Sequence, residues 1–104
     1  MSRIAYTVTA MFPDRATADE YIAWLEDGHI DAVIAGGAHS AMIVRLETTD
    51  PDEPPRVEVR YIFSTRELFD RYIEHFAPAL RAEGLRRFPP SRGITFQRSI
   101  GTIV

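Results

Sequence analysis

Apolar and polar positions alternate at the start of the chain, with Ile4, Tyr6, Val8, Ala10 and Phe12 set between Arg3, Ala5, Thr7, Thr9 and Met11. A period of two predicts a strand with one buried face, ended here by Pro13-Asp14. From Ala18 the spacing becomes three and four, through Tyr21, Ile22, Leu25, His29, Ala32 and Val33. That spacing lines one stripe of an amphipathic helix. Asp14 or Thr17 can cap its start, and Thr17-x-x-Glu20 has the form of a capping box, in which each side chain satisfies a free backbone N–H. Gly28 costs a helix interior about 1 kcal/mol relative to Ala. Ile30 and Ile34 also fall off the stripe, so the helix is expected to bend or break near Gly28. Gly36-Gly37 supplies the left-handed conformation that ends it.

The second half repeats the pattern. Residues 40–47 alternate again, Met42, Val44 and Leu46 against Ile43, Arg45 and Glu47, and the first set is expected to face the core. Residues 49–55, rich in proline and acid, read as an exposed connection. Val57, Val59, Tyr61 and Phe63 predict a third strand. A second capping box, Ser64-x-x-Glu67, precedes a helical stripe of Phe69, Tyr72, Ile73, Phe76, Ala77 and Leu80. Pro78 lies inside that stripe, and its ring displaces the carbonyl four residues back, so a kink is expected there. Gly84 stands near the expected end. After a Pro89-Pro90 turn, Ile94, Phe96, Arg98 and Ile100 alternate with Thr95, Gln97 and Ser99 as a fourth strand. The order βαββαβ is the split βαβ of ferredoxin-like α+β folds, a four-stranded antiparallel sheet with two helices on one face. Residues 1–104 are read as one domain.

On this reading the helices cover the strongly apolar strand faces. The opposite face holds Ala5, Thr7, Thr9, Ile43, Arg45, Glu47, Glu58, Arg60, Ile62, Thr95 and Gln97, and nothing in one chain covers it. A partner sheet would, which makes a homodimer the expectation. Arg45 and Arg60 have two readings. One is a salt-bridge ladder across a hairpin, pairing Arg45 with Glu58 and Glu47 with Arg56. The other is an anion site, because the planar guanidinium fork suits carboxylate or phosphate.

Composition narrows the chemistry. The 104 residues carry a net charge of −3, and the absence of Cys removes disulfides, thiolate nucleophiles and zinc–cysteine sites. All 12 cationic side chains are Arg; without Lys there is no Schiff-base chemistry and no P-loop lysine. No signal-peptide or membrane-spanning apolar run is present, and a cytoplasmic protein without membrane association is expected. Tyr6, Tyr61 and Phe63 would suit base stacking. The acidic balance and the lack of a glycine-bearing RNA signature in residues 56–63 argue against nucleic acid.

The run Ala77-Pro78-Ala79-Leu80-Arg81-Ala82-Glu83-Gly84-Leu85-Arg86-Arg87-Phe88, followed by Ser91-Arg92, resembles a family of small bacterial proteins of unknown function. So does Trp24-Leu25-Glu26-Asp27-Gly28-His29-Ile30, followed by Gly36-Gly37. The resemblance implies membership of the dimeric α/β-barrel group, whose ferredoxin-like protomers pack sheet to sheet. That group includes cofactor-free monooxygenases of aromatic polyketides, cyclases, lactone isomerases, haem-degrading enzymes and ligand-sensing domains, many with a pocket between helices and sheet. It carries over no catalytic residue.

From the residues themselves, His29 is the leading candidate for chemistry. It lies on the buried stripe beside the irregularity at Gly28, where an imidazole can be tuned for acid–base work. The alternative is a packed histidine bonded to backbone or to Asp31. Tyr6, Tyr61 and Tyr72 share the helix-facing phase and can meet near His29 to orient a carbonyl or phenolate; ordinary core packing is the alternative. Trp24 flanks the stripe as pocket wall or dimer contact. His29, His39 and His75 lack metal-ligand spacing, and no metal or cofactor is expected. The resulting expectation is a small-molecule-binding homodimer that, if an enzyme, moves protons on a carbonyl or phenolic compound without a cofactor. The rival is a non-catalytic effector-binding or structural homodimer.

Overall fold

The computed structural model describes residues 2–104. Strands β1 (Ile4–Met11), β2 (Ser40–Arg45), β3 (Arg56–Phe63) and β4 (Thr95–Thr102) form one antiparallel sheet in the order β2-β3-β1-β4. Its helices are α1 (Arg15–Trp24), α2 (Ile30–Ala35), α3 (Arg66–His75) and α4 (Ala77–Arg87). This is the ferredoxin-like α+β arrangement, with each expected helix realised as two segments.

The breaks have local causes. Between α1 and α2 the backbone leaves helical geometry at Asp27 (φ −93°, ψ 46°) and Gly28 (φ 110°, ψ −19°), and the turn Leu25–His29 widens to a π-type turn. A φ of 110° is open to glycine and strained for every residue with a Cβ. Between α3 and α4 the chain pauses at Phe76 (φ −119°), and Pro78 occupies the first turn of α4, where its missing N–H costs no hydrogen bond. The expected kink is thus a break placed two residues earlier. Gly36 is buried against this junction, since a Cβ there would lie 3.0 Å from Phe76 Cγ and 3.1 Å from Tyr72 Cδ1.

Neither capping box forms. The Asp14 carboxylate caps α1, accepting from the Thr17 N–H at 2.8 Å and from the Thr17 hydroxyl at 2.7 Å, so Thr17 is inside the helix. At α3 the cap is Thr65, whose hydroxyl accepts from the Leu68 N–H at 3.1 Å. In both cases the neighbouring Ser, Thr or Asp competed for the same role, and spacing to a glutamate did not decide it.

The core lies between the helices and the face carrying Ile4, Tyr6, Ala10, Val57, Val59, Tyr61 and Phe63. Strand β2 reverses the expected phase. Ala41, Ile43 and Arg45 pair with Tyr61, Val59 and Val57 on the helix side, whereas Met42 and Val44 pair with Arg60 and Glu58 on the open side. Met42 is 58% exposed while Ile43 packs on the core. The two alternations of β2 are both largely apolar, so periodicity alone leaves the phase open. A bend at His39, whose N–H donates to the Ile62 carbonyl at 2.7 Å, sets it.

Candidate functional site

A cavity opens between the sheet and α4, bounded by Tyr6, Tyr61 and Arg98 below, by Trp24 and His29 at one end, and by Tyr72, Leu80 and Arg81 above. Water-sized occupants have about 50 Å³ in which to centre, room for several waters at roughly 10–15 Å³ each. The break at Gly28 builds its end wall. It turns His29 back onto Trp24, with ring centroids 4.1 Å apart and planes within 24°. Gly84 brings α4 close to the same wall, since a Cβ there would lie 3.4 Å from Trp24 Cη2. The indole also meets Phe88 edge-on at 5.5 Å.

His29 is half-buried, and its ring nitrogens have no hydrogen-bond partner among the described residues. Burial lowers its pKa below the ordinary value, with the Glu83 carboxylate opposing that shift, so the neutral ring prevails at neutral pH. Burial acts oppositely on the phenols. Tyr72 is pushed up to about 12, and Tyr21 and Tyr61 are raised as well, so these three hold their protons. Of the side-chain types lining the cavity, imidazole is the one that ordinarily exchanges a proton near neutrality.

Tyr6 is the centre of the polar floor. Its ring packs against Tyr61 at 5.9 Å, Tyr72 at 6.3 Å and Phe69 at 5.4 Å. Its hydroxyl oxygen accepts from Arg81 Nη2 and from Arg98 Nε, each at 3.1 Å. Neither arginine forms an ion pair among the described residues. Arg81 Nε is buried without a hydrogen-bond partner, a state that costs on the order of 1–3 kcal/mol.

Five residues singled out in the sequence therefore share this cavity: Tyr6, Trp24, His29, Tyr61 and Tyr72. Trp24 is a wall of it. Arg45 and Arg60 are elsewhere and do not converge, because the register of β2 places them on opposite faces of the sheet. Arg45 reaches Asp19 of α1 at 2.7 Å, and Arg60 binds Glu58 of its own strand at 2.7 Å. This corrects both the two-arginine anion site and the cross-strand ladder, since Arg45 stands opposite Val57 and not Glu58. Arg81 and Arg98 were missed. Their signal was present, a charge in the apolar phase of β4 after Ile94 and Phe96, and another between Ala77 and Gly84 on one face of α4. His39 and His75 are exposed, and among the described residues no three His, Asp or Glu side chains gather as a metal site. Among those residues, too, no helix is long and apolar enough to cross a membrane.

The fold recurs in solved structures of low sequence identity. A dimeric ferredoxin-like protein from an uncultured marine organism is 16% identical, with 100% of this chain and 97% of that chain covered and a TM-score of 0.79. An ethyl tert-butyl ether D (EthD) family protein from Bacillus halodurans is 10% identical over 100% of both chains, at a TM-score of 0.70. The cofactor-independent oxygenase SnoaB from Streptomyces nogalater is 10% identical over 100% of this chain and 95% of its own, at 0.62. None of the curated proteins matches the chain. The family model described as "Domain of unknown function (DUF4286)" matches residues 3–103, and the chain belongs to that family.

Proposed function

We propose that the cavity beside Trp24 and His29 binds a small carbonyl or phenolic compound, and that His29 moves a proton on it without a cofactor. The observation that carries this reading is the half-buried His29 ring, without a hydrogen-bond partner among the described residues, in the same cavity as a phenol gripped by two guanidinium groups. The imidazole takes a proton from the carbon next to a carbonyl, or from a phenol hydroxyl, and becomes imidazolium, leaving an enolate or a phenolate. Returning that proton to another position isomerises the compound, and attack of the enolate on a second carbonyl cyclises it. Dioxygen as co-substrate would make the same anion a substrate for oxygenation. The oxygenase among the structural neighbours agrees with chemistry of this kind. The cavity's size favours a single ring or a short chain over a fused polycyclic compound.

Proton transfer is measurable before the natural substrate is known. Deuterium uptake from heavy water into a panel of single-ring ketones, β-dicarbonyls and phenols, followed by NMR, should be catalysed by the protein. His29→Gln should lower that rate by about 10²-fold or more. Because burial depresses the His29 pKa, the active neutral form predominates from below pH 6.5 upward, and the rate should fall only on the acid side of that value. Uptake no faster than in buffer, or unchanged by His29→Gln, would refute the reading.

The proposal extends to the assembly. Met42, Val44, Ile62 and Thr7 stand on the sheet face without helices, and Met42 is 58% exposed. A second copy packed sheet to sheet covers that face, in keeping with the dimeric ferredoxin-like neighbour. Met42→Glu should shift the protein from dimer to monomer in sedimentation, leaving the helix-side core intact. A dimer unaffected by this charge would place the interface elsewhere.

A further inference from the structure

We infer that the cavity is built for an anion, and that its ligand carries a carboxylate or an equally acidic enol gripped by Arg81 and Arg98. This rests on the small-molecule reading above and names the chemistry that the ligand must bring. Two guanidinium groups, one from α4 and one from β4, converge on one phenol oxygen, each at 3.1 Å. Neither has a carboxylate partner among the described residues. Of the ten other arginines, five pair with acids, Arg45 with Asp19 at 2.7 Å and Arg92 with Glu20 at 2.9 Å among them, and the five without an ion pair among the described residues lie exposed and outside the cavity. Half-buried Arg81 and exposed Arg98 thus line the cavity without an acid partner among the described residues.

Arg81 supplies an independent sign. While its Nη2 holds Tyr6, its buried Nε has no acceptor. An anionic oxygen entering beside Tyr6 offers both arginines a stronger acceptor than the phenol, since charge–charge attraction then adds to hydrogen bonds whose donors are already charged. The apolar remainder, Val8, Leu80, Leu85 and Phe96, then surrounds the ligand's ring or chain, with Trp24 at its far end. Under this arrangement Arg81 and Arg98 fix the acid end of the ligand, and His29 meets its other end beside Trp24.

Matched acid and amide pairs separate this inference from the reading beneath it: acetate and acetamide, benzoate and benzamide, 4-hydroxybenzoate and 4-hydroxybenzamide. Each pair differs by charge at nearly constant shape. Calorimetric titration of the full protein should favour the acid of at least one pair by about tenfold or more. Arg81→Gln and Arg98→Gln should each abolish most of that preference while binding the amide within about twofold of wild type. Thermal midpoints without ligand identify any variant that has merely lost packing, and Arg98→Lys should retain part of the preference. Equal affinity for acid and amide, or a preference that survives both Gln variants, would overturn the anion assignment and leave a neutral-ligand pocket standing. Binding of no acid and no amide would overturn both.

Discussion

Phe63→Ala is expected to cost about 3–5 kcal/mol, the usual range for an aromatic side chain removed from a closed core. Phe63 is 0% exposed, with its ring edge-on to Phe69 at 5.2 Å and tilted against Tyr72 at 5.3 Å. It closes the end of β3 opposite Ile4, below the α3 segment that carries Tyr72 into the cavity. No neighbour can fill the space without leaving its own contacts. Against a typical stability of about 5–15 kcal/mol, the loss should be visible as a midpoint shift of more than 10 °C. Urea unfolding followed by circular dichroism would measure it. A cost under about 1 kcal/mol would show that the packing of α3 on β3 is not as described.

Gly28→Ala is the second large effect, and its cause is confined to the backbone. A Cβ at Gly28 meets nothing within 4 Å, so no clash contributes. The φ of 110° is what an alanine resists, at about 1–3 kcal/mol. The chain can relieve that strain by regularising the turn, which would rotate His29 away from Trp24. The substitution should therefore lower stability and also change the emission of Trp24, the single tryptophan. Gly84→Ala is the control. That position is helical with a Cβ contact at an ordinary 3.4 Å from Trp24, so alanine should raise stability by about 0.5–1 kcal/mol. If Gly28→Ala were as benign as Gly84→Ala, the π turn would not be what holds the end wall.

The four strands, the break at Gly28 and the disturbance at Pro78 were legible because each rests on a local rule: alternation, a residue without a Cβ, a ring without an N–H. Tyr6, Tyr61 and Tyr72 could be brought together on paper because one alternating phase of β1 and β3 is unambiguously the more apolar. The phase of β2 was not legible, since Ala41 and Ile43 compete with Met42 and Val44 on nearly equal terms. That one-residue slip moved Arg45 across the sheet and created an arginine pair that the fold does not make. The arginine pair the fold does make was hidden for a related reason. In the sequence Arg98 is one member of an alternating strand and Arg81 part of a helical run, and only the packing of α4 over β4 brings both to Tyr6. Contacts across 75 and 92 residues are set by tertiary geometry, which no local pattern encodes.

A crystal structure of the protein grown with 4-bromobenzoate tests the central claim most directly, because the bromine's anomalous signal marks the ring independently of the rest of the density. The account predicts a bromine peak in the cavity near Trp24 and a carboxylate between Arg81 and Arg98, with Arg81 Nε donating to it. A cavity that stays closed, with bromine only on the outer surface or the open face of the sheet, would contradict it.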